Sequence, residues 1–164
     1  MKVLIQRRGS GWGGLYGALL VDFNTGIMYN DSSAATCDIR DSLKKLESTD
    51  GKQLDLPVDL LTTLRNDIEI EHKRFGLPLK EVDESTISNM LDKLEKLKDA
   101  EIKDAGYVQM DQQIDIVYII YDGKAKLVYS TYFGLTSPTD VELTNNIGEM
   151  IELLWSTSKK YTIA

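Results

Sequence analysis

The segment Tyr107–Phe133, YVQMDQQIDIVYIIYDGKAKLVYSTYF, holds two runs rich in β-branched and aromatic residues joined by Asp122-Gly123. Asp-Gly is a preferred pair for a two-residue type I′ turn, whose twist matches that of its flanking strands, so the segment predicts a β-hairpin. The turn sets a register. With Tyr121 opposite Lys124, Ile120 faces Ala125, Tyr118 faces Leu127, Ile116 faces Tyr129 and Ile114 faces Thr131. The other face pairs Ile119 with Lys126, Val117 with Val128 and Asp115 with Ser130. A one-residue slip would carry Asp115 and Lys126 into the apolar layer, so the first face is expected to be the core.

Beyond the hairpin, Ser137-Pro138-Thr139-Asp140 predicts a helix start, with Ser137 as N-cap, Pro138 at the first position and Asp140 at the third. Leu143, Ile147, Met150, Ile151, Leu154 and Trp155 then form a wide apolar stripe, and this last helix is expected to cover the hairpin's core face. Gly148 within it costs about 1 kcal/mol relative to Ala and suggests close approach to the sheet. Lys159 and Lys160 suit the helix's negative end.

Toward the amino terminus, Val3 and Ile5 against Leu4 and Gln6 predict a short strand ending in Arg7-Arg8. The glycine-rich segment Gly9–Gly14 follows, then LYGALLVDF, Asn24-Thr25-Gly26 and IMYND. Asn-Thr-Gly between apolar runs suits a three-residue hairpin loop with Gly26 left-handed. In the middle of the chain, Ile39, Leu43 and Leu46 recur at helical spacing. A second stripe runs through Leu60, Leu61, Leu64, Ile68 and Phe75, opened by Pro57 and closed by Gly76. A third, N-capped by Ser85, places Ile87, Met90, Leu91, Leu94 and Leu97 on one face, with acids and lysines opposite, including Asp92 and Lys96.

The whole is expected to be one α+β domain over residues 1–164. It would hold an antiparallel sheet of about five strands, packed by the C-terminal helix, with a helical segment in the middle of the chain. A chain of 164 residues, 42% hydrophobic, can bury enough surface to need no metal or disulfide staple. No apolar run reaches a membrane span and the start lacks the pattern of a signal peptide, so a cytoplasmic protein is expected. Cys37 is the only cysteine and His72 the only histidine. A cysteine zinc site and an intrachain disulfide are therefore excluded, and most routes to general-base catalysis near neutral pH are removed. The net charge of −7 opposes general binding to nucleic acid and favours a basic partner.

Gly9-x-Gly11-x-x-Gly14 after a strand has the outline of a dinucleotide site, in which glycines allow close backbone approach to a pyrophosphate at a helix N-terminus. The helix required there would be LYGALLVDFN, apolar on almost every side, so an inter-strand loop fits better. Arg7, Arg8 and Trp12 with the loop's N–H groups could still form an anion-binding nest, or Trp12 could anchor a protein partner or fold back on the sheet. Glu69-x-x-His72 has the spacing of half a di-iron site, but the second half is missing. Ser10 lacks a nucleophile-elbow context, and no acid pair or calcium loop stands out among 26 acids. No catalytic residue, cofactor or metal is assigned, and an enzyme is not the favoured reading.

The opening strand, the loop Gly11-Trp12-Gly13-Gly14, the hairpin over Ile114–Tyr132 and the closing Ile151-Glu152-Leu153-Leu154-Trp155 resemble the emfourin-type protein inhibitors of metalloproteases. The likeness covers the two ends of the chain, while the middle, about Leu56 to Ala105, is extra. It implies a binding protein rather than a catalyst. The function expected is inhibition or neutralisation of a partner protein, in the manner of an immunity protein. Arg7, Arg8, Gly11, Trp12 and Gly13 of the loop region and Tyr121, Lys124 and Tyr132 of the hairpin are the candidate contacts. A nucleotide or other phosphorylated ligand at the glycine-rich loop is the alternative. A structural or assembly subunit, with the wetter hairpin face as its contact, is another.

Overall fold

The structure, a computed structural model, describes residues 1–8, 16–31, 54–55, 77–104, 114–122, 124–131 and 135–159. Strands β1 (Lys2–Arg8), β2 (Tyr16–Asp22), β3 (Ile27–Asp31), β4 (Leu54–Asp55) and β5 (Leu77–Pro78) precede a 3₁₀ turn at Leu79–Glu81. Helix α1 (Glu84–Asp99), strands β6 (Ile102–Asp104), β7 (Ile114–Tyr121), β8 (Lys124–Ser130) and β9 (Thr136–Pro138), and helix α2 (Val141–Lys159) follow. One sheet runs in the order β5-β3-β2-β1-β7-β8-β9-β6, with β4 added on β8, and every described pairing is antiparallel. The architecture is α+β with a middle and a C-terminal helix, as expected. The five strands foreseen are its long members; four of two or three residues join them among the described residues.

Both hairpins close as their turn residues dictate. Asp122 has φ 48°, the left-handed conformation that the first central residue of a type I′ turn requires, and Tyr121 sits opposite Lys124. In the β2–β3 hairpin Gly26 has φ 68° and its N–H donates to the carbonyl of Asp22 at 2.9 Å. Because Asp22 pairs with Ile27, the loop is Phe23–Gly26, one residue longer than the sequence suggested.

The β7–β8 register departs from the two-residue count beyond Tyr118. Tyr118 faces Leu127, but Val117 faces Tyr129 and Ile116 faces Ser130, so Val128 is the extra residue of a β-bulge. The expected pairs Ile116–Tyr129, Val117–Val128 and Asp115–Ser130 are therefore replaced.

The face expected to be wetter is the one under the helices. Val3, Ile5, Leu19, Val21, Val117 and Ile119 are fully buried, and they pack with Met90, Leu94, Leu97, Ile147, Met150, Ile151, Leu154 and Trp155. Each such aliphatic side chain contributes about 1.5–3 kcal/mol by leaving water. The reason lies in the neighbours: Ile5 stands between Leu19 and Val117, and Val3 between Val21 and Ile119, so β1 and β2 extend an apolar patch the hairpin alone does not reveal. The opposite face is buried as well, with Ile116, Tyr118, Ile120, Ala125 and Leu127 at most 8% exposed. Both faces of the central strands are dry.

The two charges that argued against this arrangement are neutralised where they stand. Asp115 lies opposite Arg7 and is bound by it. Lys126 Nζ reaches the carboxyl end of α1 and donates to the carbonyls of Leu97 (2.9 Å), Lys98 (2.7 Å) and Ala100 (2.7 Å). Those carbonyls have no intrahelical partner, so the ammonium acts as a cap supplied by the sheet. Burial lowers its pKa, with Asp99 acting the other way.

The helix starts also differ in detail. Asp83, two residues before the expected Ser85, caps α1: its carboxylate accepts from the Thr86 N–H (2.9 Å), the Thr86 hydroxyl (2.6 Å) and the Ser85 hydroxyl. Ser137 and Pro138 belong to β9, and Asp140 caps α2 by accepting from the N–H groups of Glu142 (2.8 Å) and Leu143 (3.2 Å). Gly148 is exposed, and a Cβ there would meet nothing within 4 Å, so it does not approach the sheet. The helices predicted around residues 36–47 and 57–76 lie outside the described residues.

Candidate functional site

Of the expected contact residues, Arg7 is placed in full. β1 carries it onto the helix side of the sheet, where Nε donates to Asp115 Oδ1 (2.8 Å) and an Nη donates to Asp115 Oδ2 (3.3 Å) and Glu152 Oε1 (2.6 Å). The guanidinium also lies 5.4 Å from the ring centroid of Trp155. Burial works against its charge, but the hydrogen bonds to Asp115 and Glu152 outweigh that and hold its pKa above the ordinary value. Threonine completes the cluster: Asp115 N–H donates to Thr131 Oγ1 at 2.9 Å. Tyr129, brought alongside by the bulge, has its pKa raised by burial and by Asp115. Arg7 thus joins β1, β7 and α2, and with two carboxylates on it, it is not a spare cation for an anion.

Arg8 is described by its backbone, opposite Tyr16 and Ile114. Lys124 likewise pairs with Tyr121 and Asp55. Tyr121 is half-buried at the turn end of the sheet, with Lys98 Nζ 5.1 Å from its ring centroid. Arg7 and Tyr121 lie at opposite ends of the pairing between β1 and β7, so they are not brought into one site. Gly11, Trp12, Gly13 and Tyr132 lie outside the described residues, as do Cys37, Glu69 and His72. The residues after Gly14 that a dinucleotide cradle needs as helix are strand from Tyr16 to Asp22, antiparallel to β1. Among the described residues no group of His, Cys, Asp or Glu side chains is arranged to hold a metal ion.

A concave site does form between the two helices, on the outer side of the layer they make over the sheet. It is a groove of about 100 Å³ whose floor is Met90, Leu94, Leu97, Ile147 and Met150. Leu143 and Leu153 of α2 stand partly exposed along it, and Asn89 and Lys93 of α1 face Asn146 and Glu149 of α2 across its mouth. The stripe spacing that makes each helix amphipathic is also what builds the site. Its central residues seat on the sheet, while residues one step to the side meet across the gap.

This volume decides what the groove accepts. Sites for cofactors and drug-sized ligands run about 300–1,000 Å³, whereas an engineered apolar cavity of about 150 Å³ holds a single benzene. About 100 Å³ accommodates one aliphatic side chain. An apolar socket of that size with a polar rim has the form of an anchor site at a protein interface, where surrounding polar contacts exclude water from one buried side chain.

The sequence places Met90, Leu94 and Leu97 on one helix face and Ile147 and Met150 in the stripe of the last helix, without bringing the two together. The signal available for the groove is Asn89 beside the α1 stripe and Asn146 beside the α2 stripe, next to Leu143 and Leu153.

Comparison with protein-family models, with curated proteins and with solved structures finds no match to this chain. No described helix is long and apolar enough to cross a membrane.

Proposed function

We propose that this chain is a small acidic binding protein that inhibits or neutralises a partner protein. The observation that carries the reading is the groove between α1 and α2, sized for one anchoring side chain and rimmed by polar groups. The net charge of −7 supports it by steering the chain toward a basic partner. The likeness of both chain ends to emfourin-type inhibitors points the same way. The engagement of Arg7 by Asp115 and Glu152 weighs against a phosphorylated ligand held by that residue.

The test is to capture partners on the full chain from the source cell, purify the stoichiometric one and titrate it. The expected result is a 1:1 complex with a dissociation constant below about 10 μM, about −7 kcal/mol, and loss of the partner's own activity on saturation. A chain that binds nothing more tightly than that, or whose partner keeps full activity when saturated, overturns the proposal.

A further inference from the structure

The sheet has two buried faces, and the described helices account for one of them. Val3, Ile5, Leu19, Val117 and Ile119 pack with α1 and α2 on the first. On the second, Leu20, Ile116, Tyr118, Ile120, Ala125 and Leu127 are at most 8% exposed, yet none of them belongs to the cluster that holds the helices. Apolar side chains stay this dry only under a cover, and in a single chain that cover is the chain itself.

The strand pairings identify a stretch that has to pass across the sheet. One row of paired residues runs from Pro78 of β5 through Ile27, Lys2 and Ala125 to Leu54 of β4. β4 and β5 therefore stand on opposite sides of the sheet, six inter-strand steps or about 29 Å apart. Residues 56–76 join them. The helix that the sequence predicts between Pro57 and Gly76 would be about 30 Å long, the width of the sheet at that row.

The hand of this link decides which face it crosses. Every step between β4 and β5 is antiparallel and there are six of them, so the two strands run parallel. The Phe23 N–H donates to the Met1 carbonyl at 3.1 Å, so the N–H and C=O groups of Val3 and Ile5, two and four residues on, are also directed at β2. For L-residues this fixes the view: with the helices toward the observer and β1 running upward, β2 is on the right. β5 is then at the far right and β4 at the far left, both running downward. A link in front of the sheet, among α1 and α2, would be a left-handed crossover. One behind it is right-handed, the hand of about 98% of such connections.

We propose that residues 56–76 cross behind the sheet, on the face away from α1 and α2, and that Leu60, Leu61, Leu64 and Ile68 cover Ile116, Tyr118, Ile120 and Leu127. Both faces of the hairpin are then closed by the chain itself. A second molecule meets the outside of one of the two covering layers or a strand edge, not a face of the hairpin. This holds for the chain alone, whatever partner it binds.

The test is the set of nuclear Overhauser contacts between methyl groups in the full chain, labelled at Ile, Leu and Val and kept dilute enough to be monomeric. Contacts from Leu60, Leu64 or Ile68 to Ile116, Ile120 or Leu127 are expected. Leu64→Ala is expected to shift the Ile116 and Ile120 methyl resonances and to leave those of Leu94 and Ile147 in place. If the second-face methyls instead contact Ile39, Leu43 or Leu46, another part of the chain is the cover and the proposal fails. Contacts from Leu60, Leu64 and Ile68 to Leu143 and Leu153 overturn it as well, because they seat the segment over the groove. Absence of any contact between residues 56–76 and the sheet does the same. None of these readings needs a partner, so failure here leaves the capture experiment and its outcome untouched.

Discussion

Gly148 shows how a single residue's role depends on which side of a helix it occupies. In sequence it interrupts an apolar stripe and suggests a tight crossing. In the structure it sits on the solvent side of α2 with open space where a side chain would be. Nothing then offsets the backbone entropy that glycine loses in a helix interior. Gly148→Ala is expected to stabilise the protein by about 0.5–1 kcal/mol, read as a higher urea midpoint at unchanged slope. Asp115 and Lys126 carry the same lesson in reverse. Counted as isolated charges they appear incompatible with the buried layer, and that count inverted the expected core face. Their partners, Arg7 and the last carbonyls of α1, come from distant parts of the chain and carry no local signature.

At the scale of elements, the turns were the most legible features because their residues answer to local backbone geometry. Asp122 and Gly26 adopt the left-handed conformations their turns require. The bulge at Val128 was not legible: an extra residue in a strand leaves alternation intact on each side and shifts only the pairing across it. Helix starts were read to within a few residues, and the cap of α1 gives a pH test. Hydrogen bonds from the Ser85 hydroxyl and from the hydroxyl and N–H of Thr86 lower the Asp83 pKa from 3.8 to about 2. A carboxylate whose pKa is depressed on folding adds stability that is fully present above its unfolded value and lost as the pH falls through the folded one. Asp83→Asn keeps a capping acceptor but does not titrate. The stability difference between parent and Asp83→Asn is therefore expected to hold above pH 3.8 and to shrink down to about pH 2. Urea unfolding at a series of pH values checks it, and a difference that stays constant through that window would refute the assignment.

For the molecule as a whole, α+β architecture and the wrapping of one sheet by a middle and a final helix followed from periodicity. Strand order did not, because it is decided by contacts between β1 and β7, more than a hundred residues apart. Arg7 is the side chain that ties these distant parts together, linking both central strands to α2. Arg7→Met removes a cation bound to Asp115, itself only 14% exposed. The expected cost is about 2 kcal/mol, below the range for fully buried pairs because water still reaches the site. Adding Asp115→Asn removes the carboxylate that Arg7 binds, so the double variant should recover a measurable part of that loss, and a thermodynamic cycle of denaturation midpoints separates the two effects. Strictly additive losses would show that the two side chains do not communicate. The groove was the least legible feature, since it exists only where two stripes from separate segments meet side by side.

The ammonium of Lys126 has a consequence for recognition. By gripping the carboxyl end of α1 from the sheet below, it prevents the helix from sliding or rolling without stranding three carbonyls. The α1 wall of the groove is thus anchored to the sheet. For the binding role proposed above, a wall anchored in this way leaves less ordering entropy for the host to surrender.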